Sequence, residues 1–354
     1  MTTLDLTADA VSLTEQLVDI ESVSQNEQAI ADAVESALRT LPHLTVSRHG
    51  HTVVARTDLG RGERVVLAGH LDTVPVNGNL PVRREGGLLH GLGTCDMKSG
   101  DAVILRLAAT VPEPNRDLTF VLYDAEEIDD EFNGLRKLAE SHPELLEADF
   151  AILMEPSNAS VEAGCQGTLR VDVRTTGERA HSARSWRGVN AIHGAAEILD
   201  RLNAWEPRKP VIDGLEYHEG LNAVWISGGV AGNVIPDECV VAVNYRFAPD
   251  RSVEQAEQHV REVFAGFDVR LTDSAPGALP GLDRPAAKAF VEAVGGEVGP
   301  KFGWTDVSRF SALGVPAVNF GPGDPMLAHK QDEHVPIEHI ERCERQLRAW
   351  LGAP

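Results

Sequence analysis

The sequence has little that would suit secretion, membrane insertion or nucleic-acid binding. The N-terminus lacks the basic segment and apolar core of a signal peptide, and no apolar run approaches the roughly 20 residues of a transmembrane helix. The sequence has only 32 Lys and Arg residues against 54 Asp and Glu residues, which gives a formal net charge of −22. Because nucleic acids and anionic membranes attract basic surfaces, this charge argues against both as partners.

Cysteine is also scarce and widely scattered, at Cys95, Cys165, Cys239 and Cys343. This spacing excludes a paired-cysteine zinc site and indicates the reducing environment of the cytoplasm. Cys95 lies beside Asp96, and we interpret it as a small packed thiol rather than a metal ligand. Internal repeats and low-complexity segments are absent as well.

The chain is long enough for more than one domain. Its 354 residues exceed the length at which a single core usually stops growing, so we expect two domains. Residues 1–167 alternate helical and strand patterns, which is typical of an α/β domain with a mixed, mostly parallel sheet. Strands are predicted at 44–46, 52–55, 65–68, 118–123 and 150–154, and helices at 30–41 and 97–110.

The pattern changes over residues 168–276 to a β-α-β-β-α-β order, which predicts an inserted ferredoxin-like α+β domain. Its strands are predicted near 169–173, 222–230, 239–247 and 267–271, and its helices at 190–202 and 252–264. A segment rich in Pro and Gly at 275–282 is interpreted as the return linker. Residues 277–354 then complete the first domain, with helices at 285–294 and 337–351 and a strand at 315–320.

The most informative segment is the predicted buried strand at 65–68. It delivers His70 and Asp72 where the strand ends, and Asp96 precedes the next predicted helix. Imidazole and carboxylate are the ligands that zinc prefers where sulfur is absent. A single His-x-Asp after a strand is more often structural, so a metal site requires further ligands at neighbouring strand ends.

Such candidates do follow the next predicted strands. Glu126 and Glu127 come after the strand at 118–123, and Glu155 comes after the strand at 150–154. Ligand sites in open α/β sheets form beyond the carboxyl ends of the strands. Two histidines complete the candidates: His181 and His329. Taken singly, an acidic run is usually a solvated face and a lone histidine a surface residue, but their recurrence at successive strand ends favours a metal site.

These motifs together resemble those of a known enzyme family. They are Gly69-His70-Leu71-Asp72-Thr73-Val74-Pro75, Gly93-x-x-Asp96-Met97-Lys98, Glu126-Glu127, Glu155-Pro156 and His329-Lys330. In this order they resemble the co-catalytic zinc aminoacylases and carboxypeptidases, among them acetylornithine deacetylase, glutamate carboxypeptidase and succinyl-diaminopimelate desuccinylase. The resemblance covers essentially the whole chain. It implies a zinc-peptidase-like catalytic domain and an inserted ferredoxin-like domain that acts as lid and dimerisation surface.

The resemblance also implies two zinc ions per subunit, for which Co²⁺ can substitute. His70 and Glu155 would bind one ion, and Glu127 and His329 would bind the other. Asp96 would bridge the two ions. Catalytic zinc keeps one position open for water, and two ions about 3.5–4 Å apart bring the pKa of that water toward about 7.

The same resemblance implies the catalytic roles. Glu126 would act as general acid and base, taking a proton from the water and passing it to the departing amine. Asp72 would orient His70 through its second ring nitrogen. His181 would stabilise the oxyanion, and in this family it is reached across a dimer interface that the inserted domains form.

Within the family, the segments 164–170, 179–184, 232–236 and 303–310 look most like the desuccinylases. This resemblance implies an anionic small-molecule substrate, N-succinyl-L,L-2,6-diaminopimelate, and a place in lysine and cell-wall precursor biosynthesis. Its carboxylates would be bound by Arg246, with three further substrate candidates: Arg184, Asn233 and Gly321. Gln166 departs from the desuccinylase pattern, in which many members carry a basic residue, and this leaves the succinyl contacts open.

Two alternatives remain at this point. A sister enzyme such as acetylornithine deacetylase, or another N-acyl-amino-acid amidohydrolase or carboxypeptidase, would share the metal chemistry but have a different acyl pocket. A non-catalytic metal-binding homologue is disfavoured because it would not need Glu126, which the resemblance does not make a metal ligand.

Overall fold

The structure, a computed structural model, describes residues 3–352. By its internal contacts the chain divides into two compact units. Unit 1 comprises Met1–Ala163, Pro280–Gly299 and Arg309–Pro354, and unit 2 comprises Gly164–Leu279 and Pro300–Ser308. The second segment of unit 2 was not part of the domain limits inferred from the sequence, and those limits remain a prediction.

The described residues form nine α-helices and nineteen β-strands. The helices are α1 (Ala10–Val18), α2 (Gln28–Leu38), α3 (Lys98–Thr110), α4 (Gly134–Ser141), α5 (Ala191–Ala204), α6 (Val253–Val263), α7 (Pro285–Val294), α8 (Val307–Ala312) and α9 (Ile337–Trp350). The strands are β1 (Thr45–His49), β2 (Thr52–Arg56), β3 (Arg64–His70), β4 (Arg83–Glu85), β5 (Leu88–His90), β6 (Asp117–Tyr123), β7 (Phe150–Pro156), β8 (Val161–Ala163), β9 (Gly167–Thr176), β10 (Ala180–His181), β11 (Val211–Ile212), β12 (Leu215–Glu216), β13 (Gly220–Gly228), β14 (Val234–Ile235), β15 (Glu238–Phe247), β16 (Asp268–Ala275), β17 (Val298–Pro300), β18 (Ala317–Gly321) and β19 (His334–Pro336).

The central sheet of eight strands has the order β1-β2-β6-β3-β7-β18-β8-β17. Its middle is parallel, since β3 pairs in parallel with β6 and β7, and β7 pairs in parallel with β18. The strands β6, β7 and β18 are buried along their whole length, as expected for parallel strands covered on both faces. Helix α3 packs against β3, β6 and β7. The predicted mixed, mostly parallel α/β sheet is therefore confirmed.

Element positions agree closely with the sequence-based prediction in this unit. The strands predicted at 52–55, 65–68, 118–123 and 150–154 all form. The helix predicted at 30–41 ends at Leu38, and the one predicted from Met97 begins at Lys98. The small antiparallel sheet β19-β5-β4 was not predicted, because strands of three residues are too short to carry a periodic signal.

Unit 2 is built on a four-stranded antiparallel sheet of order β13-β15-β9-β16. With α5 after β9 and α6 after β15, this is the predicted ferredoxin-like arrangement. Alternate side chains of β9, namely Leu169, Val171 and Val173, face the core against α5 and α6, and burying each contributes on the order of 1.5–3 kcal/mol. Ser252 and Gln255 form a capping box that starts α6.

No helix within residues 3–352 is both long and apolar enough to cross a membrane.

Candidate metal centre

The carboxyl ends of three parallel strands bring the candidate ligands of unit 1 to one edge of the sheet. His70 ends β3 and pairs with Tyr123, the last residue of β6, which Glu127 follows by four residues. The register of β3 with β7 pairs Ala68 with Leu153, so Glu155 lies two residues further along, level with His70. Glu155 is 5% exposed. These side chains lie together because the carboxyl ends of parallel strands meet at the same edge of the sheet, as the sequence analysis expected.

Five predicted ligands lie at this edge or in the loops beside it, and the distances between four of them are short. The Nε2 atom of His70 is 3.0 Å from Oδ1 of Asp96. The Nε2 atom of His329 is 2.9 Å from Oε2 of Glu127 and 3.5 Å from Oδ2 of Asp96. One ligand atom each of His70, Asp96 and Glu127 lie within 4.8 Å of one another. Asp96 thus has one carboxylate oxygen toward each histidine, as a bridging ligand would.

The hydrogen bonds of the two His70 ring nitrogens indicate whether this arrangement can hold a cation. The Nδ1–H of His70 donates to the backbone carbonyl of Asp72 at 3.0 Å, so in the neutral imidazole the lone pair is on Nε2. That lone pair faces the Asp96 carboxylate, so two acceptors point at each other and need a proton or a cation between them. Two imidazoles with several carboxylates are a donor set that suits divalent zinc. The residues present therefore fit a metal site.

The pKa shifts of the site also arise from the close approach of imidazoles and carboxylates. Burial opposes protonation of His70, but its hydrogen bonds with Asp72 and Asp96 outweigh burial and raise its pKa well above the ordinary value. Hydrogen bonds with Asp96 and Glu127 raise the pKa of His329 to about 10. Burial and the charge of Asp96 raise the pKa of Glu127. In this geometry the carboxylates attract positive charge onto the imidazoles, as they would attract a metal cation.

Asp72 joins two of the loops that carry ligands. Its carboxylate is fully buried and accepts hydrogen bonds from the Ser24 hydroxyl at 2.7 Å and from the backbone N–H groups of Glu126 and Glu127 at 3.0 and 3.1 Å. The carboxylate itself lies 3.5 Å from Nδ1 of His70, further away than the carbonyl of the same residue. Asp72 therefore orients His70 chiefly through its backbone and positions the Glu126-Glu127 pair through its side chain.

Three buried titratable groups near the site were not predicted from the sequence. The Glu333 carboxylate accepts backbone hydrogen bonds from the loop that carries Asp96, and it lies in an acidic, hydrophilic segment that gives no sign of burial. The Lys98 ammonium donates to the carbonyl of Ile20 at 2.7 Å, and burial lowers its pKa to about 8. Asp101 has no hydrogen-bond partner for either carboxylate oxygen within residues 3–352, and burial raises its pKa well above the ordinary value.

The remaining candidates lie in unit 2. His181 ends β10, is exposed, and accepts a hydrogen bond on Nδ1 from the backbone of Ala183. The pairing of β10 with β14 brings it beside Asn233, whose carbonyl accepts from the Ser182 N–H at 2.9 Å. Arg184 is also exposed.

Arg246 differs from these exposed residues. It lies on β15 between Tyr245 and Phe247, which both face the core of unit 2, so it points from the opposite face of the sheet. Burial and the charge of Arg170 lower its pKa. Among the residues that the structure describes, it has no carboxylate at ion-pair distance. A half-buried guanidinium without an internal partner is suited to an external carboxylate.

The candidate Gly321 and the position of Gln166, which departs from the desuccinylase pattern, have backbone or packing roles. The N–H of Gly321 donates to the Ser157 hydroxyl at 2.9 Å, and a side chain at Gly321 would collide with the carbonyl of Met154. Gln166 is 1% exposed, and its Oε1 atom has no hydrogen-bond partner within the described part of the chain. Neither position adds a charged contact for a substrate.

Comparison with known proteins gives consistent matches. The profile of peptidase family M20/M25/M40 matches residues 66–352. A chain of Mycobacterium tuberculosis, whose name assigns it provisionally as a succinyl-diaminopimelate desuccinylase, is 60% identical over 352 residues, which are 99% of this chain and 99% of that one. The succinyl-diaminopimelate desuccinylase of Corynebacterium glutamicum is 49% identical over 360 residues, covering 99% and 98% of the two chains.

Among solved structures, a tripeptidase of Staphylococcus aureus has a similar fold. The two chains superpose with a TM-score of 0.79 at 22% sequence identity, over 99% of this chain and 98% of that one. At this identity the likeness concerns the fold alone, and it extends over both units.

Proposed function

This chain belongs to peptidase family M20/M25/M40, and we propose that it is a metal-dependent amide hydrolase that removes succinate from N-succinyl-L,L-2,6-diaminopimelate. The observation that carries the proposal is the 60% and 49% identity, over almost the whole length of each chain, to two proteins named for this reaction. The product, L,L-diaminopimelate, is a precursor of lysine and of the cell wall, as the sequence resemblance implies.

The metal ions are proposed to be two Zn²⁺ per subunit. His70 and Glu155 would hold one ion, Glu127 and His329 the other, and Asp96 both. The convergence of these side chains supports this assignment, since an imidazole faces a carboxylate at 2.9–3.0 Å at two points. When bound, such ions supply Lewis-acid polarisation of a carbonyl and lower the pKa of water toward about 7.

Glu126 is proposed as the general base and acid. Its neighbour Glu127 faces His329. Because adjacent side chains diverge, the Glu126 carboxylate would be able to face the water rather than that pair. Its backbone N–H is held by the buried Asp72 carboxylate. In the proposed reaction Glu126 takes a proton from water as the water oxygen bonds to the amide carbonyl carbon. It passes that proton to the amide nitrogen as the C–N bond breaks, which releases succinate and the free amine.

His181 and Arg246 are proposed to act on the substrate. The ring nitrogen of His181 that does not accept from Ala183 is able to donate to a developing oxyanion. Arg246 would bind a substrate carboxylate through its two-pronged guanidinium, with Arg184 and Asn233 as further polar contacts. The substrate carries three carboxylates, which gives such an arginine a partner that the described part of the chain does not supply.

Unit 2 is proposed to form a homodimer interface. Strand β13 is an edge of its sheet, and it exposes three consecutive apolar side chains, Val224, Trp225 and Ile226, at 61%, 59% and 49%. Helix α5 exposes Ile192 and Leu199. An exposed apolar edge strand is a template for pairing with another chain, and a second copy would cover it.

The proposed location is the cytoplasm. Its support is that all four cysteines are buried thiols without a disulfide, as is usual in a reducing compartment.

The deciding experiment is amine release from N-succinyl-L,L-diaminopimelate and from N-acetylornithine, with and without added Zn²⁺. We expect zinc-dependent cleavage that favours the succinyl substrate. The Glu126→Ala variant should lose about 10²- to 10⁴-fold in kcat while retaining metal, because it removes the proton-transfer group and no ligand. Asp129→Asn, an exposed acidic position in the same loop, is the matched control and should leave the rate unchanged.

Other outcomes would redirect the proposal. Preference for N-acetylornithine would retain the mechanism and assign the chain to the sister deacetylase reaction. Bound metal without cleavage of either compound would favour another N-acyl substrate or a non-catalytic homologue. Full activity of Glu126→Ala would overturn the role of Glu126.

A further inference from the structure

Glu333 lies four residues after His329, in the segment that leads into β19. Its side chain is 2% exposed, although it carries a carboxylate. A buried carboxylate is costly unless hydrogen bonds compensate it, so its partners indicate its role.

Those partners all belong to one loop. The Glu333 carboxylate accepts from the backbone N–H groups of Cys95 at 2.8 Å, Asp96 at 3.0 Å and Gly93 at 3.0 Å. Three charge-assisted hydrogen bonds from nearby residues of one loop define the position of that loop closely. The loop is the one that carries Asp96, whose two carboxylate oxygens face His70 and His329.

Further contacts join the same two segments. The Gly91 N–H donates to the backbone carbonyl of Glu333 at 3.2 Å, and the Cys95 thiol donates to the carbonyl of Asp324 at 3.0 Å. The strand pair β5–β19 ends where these contacts begin, since His90 pairs with His334. Two short strands thus bring together segments that lie some 240 residues apart in sequence. The Glu333 carboxylate, in one of these segments, accepts its hydrogen bonds from the other.

We infer that Glu333 is a positioning residue that holds the Asp96 loop and the His329 segment in register, so that a ligand from each converges on the same metal centre. The inference rests on the proposed metal centre but not on the identity of the substrate. It assigns Glu333 no contact with metal or substrate. Its effect is on the preorganisation of ligands that come from distant parts of the chain.

The test compares Co²⁺ binding by metal-free wild type, Glu333→Gln, Glu333→Asp and Asp332→Asn. Affinity is measured by competition with a chromophoric chelator, and coordination by the visible d–d absorption of the bound ion. Glu333→Gln places an amide N–H₂ against backbone N–H donors, and we expect its affinity to fall on the order of 10- to 100-fold with an altered spectrum. Asp332→Asn removes the same charge from the adjacent, exposed position and should bind as wild type does.

Glu333→Asp separates position from charge. It keeps the negative charge but is one methylene too short to reach all three N–H groups, so we expect an intermediate loss of affinity. Wild-type binding by Glu333→Asp would mean that the negative charge alone matters, and wild-type binding by Glu333→Gln would mean that the carboxylate with its three hydrogen bonds is not required. Either result overturns the inference.

Two controls keep this result distinct from other failures. Circular dichroism of the metal-free proteins identifies the folded variants, and if Glu333→Gln is unfolded, Glu333→Asp carries the test. A structural role alone would lower the melting temperature of the metal-free protein and leave Co²⁺ affinity of the folded protein unchanged, which also overturns the inference. Absence of Co²⁺ binding by the wild type would instead refute the proposed metal centre itself.

Discussion

Most candidate ligands of unit 1 and most candidate substrate residues of unit 2 are held in opposite ways, with exposed His329 and half-buried Arg246 as the exceptions. In unit 1, His70 is 1% exposed and the Asp72 beside it accepts three hydrogen bonds from two other segments. In unit 2, His181, Arg184 and Asn233 are all exposed. Buried, hydrogen-bonded ligands have their geometry before any ion binds, whereas exposed side chains lose rotamer freedom only when they bind.

This difference separates two kinds of function. The preorganised region of unit 1 is suited to holding cations at defined positions, and substitutions there should change metal affinity. The exposed residues of unit 2 are suited to contacts that form during the reaction, and substitutions there should change kcat with metal content intact. The following predictions can confirm or break this separation.

The largest effect is expected from His181→Ala. Removing one oxyanion donor costs about 10²- to 10³-fold in kcat, and metal content should not change because His181 is not among the proposed ligands. The measurement is kcat together with metal per subunit by atomic emission. His218→Ala, another exposed histidine of unit 2, is the control and should have the wild-type rate. Loss of metal from His181→Ala would contradict both the role and the separation.

A smaller effect is expected from Asp72→Asn in unit 1. The neutral amide keeps the shape but weakens the hydrogen bonds from Ser24, Glu126 and Glu127, so metal affinity should fall about 10- to 100-fold. The free energy of unfolding of the metal-free protein should fall by about 1–3 kcal/mol. Chelator competition and urea unfolding check these values, beside the exposed Asp129→Asn. Unchanged metal affinity with reduced kcat would mean that Asp72 acts in the reaction, as is expected of the exposed residues of unit 2, and would break the separation.

The smallest effect on stability is expected from Val224→Lys on the exposed edge of β13. A lysine there should prevent pairing with a second copy, while the unfolding free energy of the folded chain changes within about 0.5 kcal/mol because the position is exposed. Sedimentation should show a monomer for this variant and a dimer for the wild type. Arg270→Glu, on the opposite edge strand β16, should leave the dimer intact. A monomeric wild type, or a dimeric Val224→Lys, would refute the proposed interface.

The sequence predicted most of the fold because its signals are local. Apolar runs such as 65–68 and 150–154 form the larger part of buried strands, and the alternation of Leu169, Val171 and Val173 marks a sheet face. The predicted ferredoxin-like order and the family resemblance are both confirmed. Strands of two or three residues, such as β4 and β5, have too few residues for a pattern and were missed.

The candidate site divides in the same way. His70, Asp96, Glu127 and Glu155 were predicted because each follows a recognisable strand or motif, and the structure places the first three close enough to share an ion. The partners of these residues were not predictable. Glu333 lies in a hydrophilic segment, and nothing in the sequence relates it to a loop some 240 residues away.

The sequence by itself therefore determined which residue types stand at the ends of which strands, and hence the chemistry that those ends can perform. Only the tertiary structure decided how the ends are held: that the carbonyl of Asp72, rather than its carboxylate, is the nearer partner of His70, and that its carboxylate positions Glu126 and Glu127. The physical reason is the sequence distance over which each kind of interaction acts. Strand periodicity depends on neighbouring residues, whereas a buried carboxylate takes its hydrogen bonds from whatever the folded chain brings within 3 Å, at any distance along the sequence.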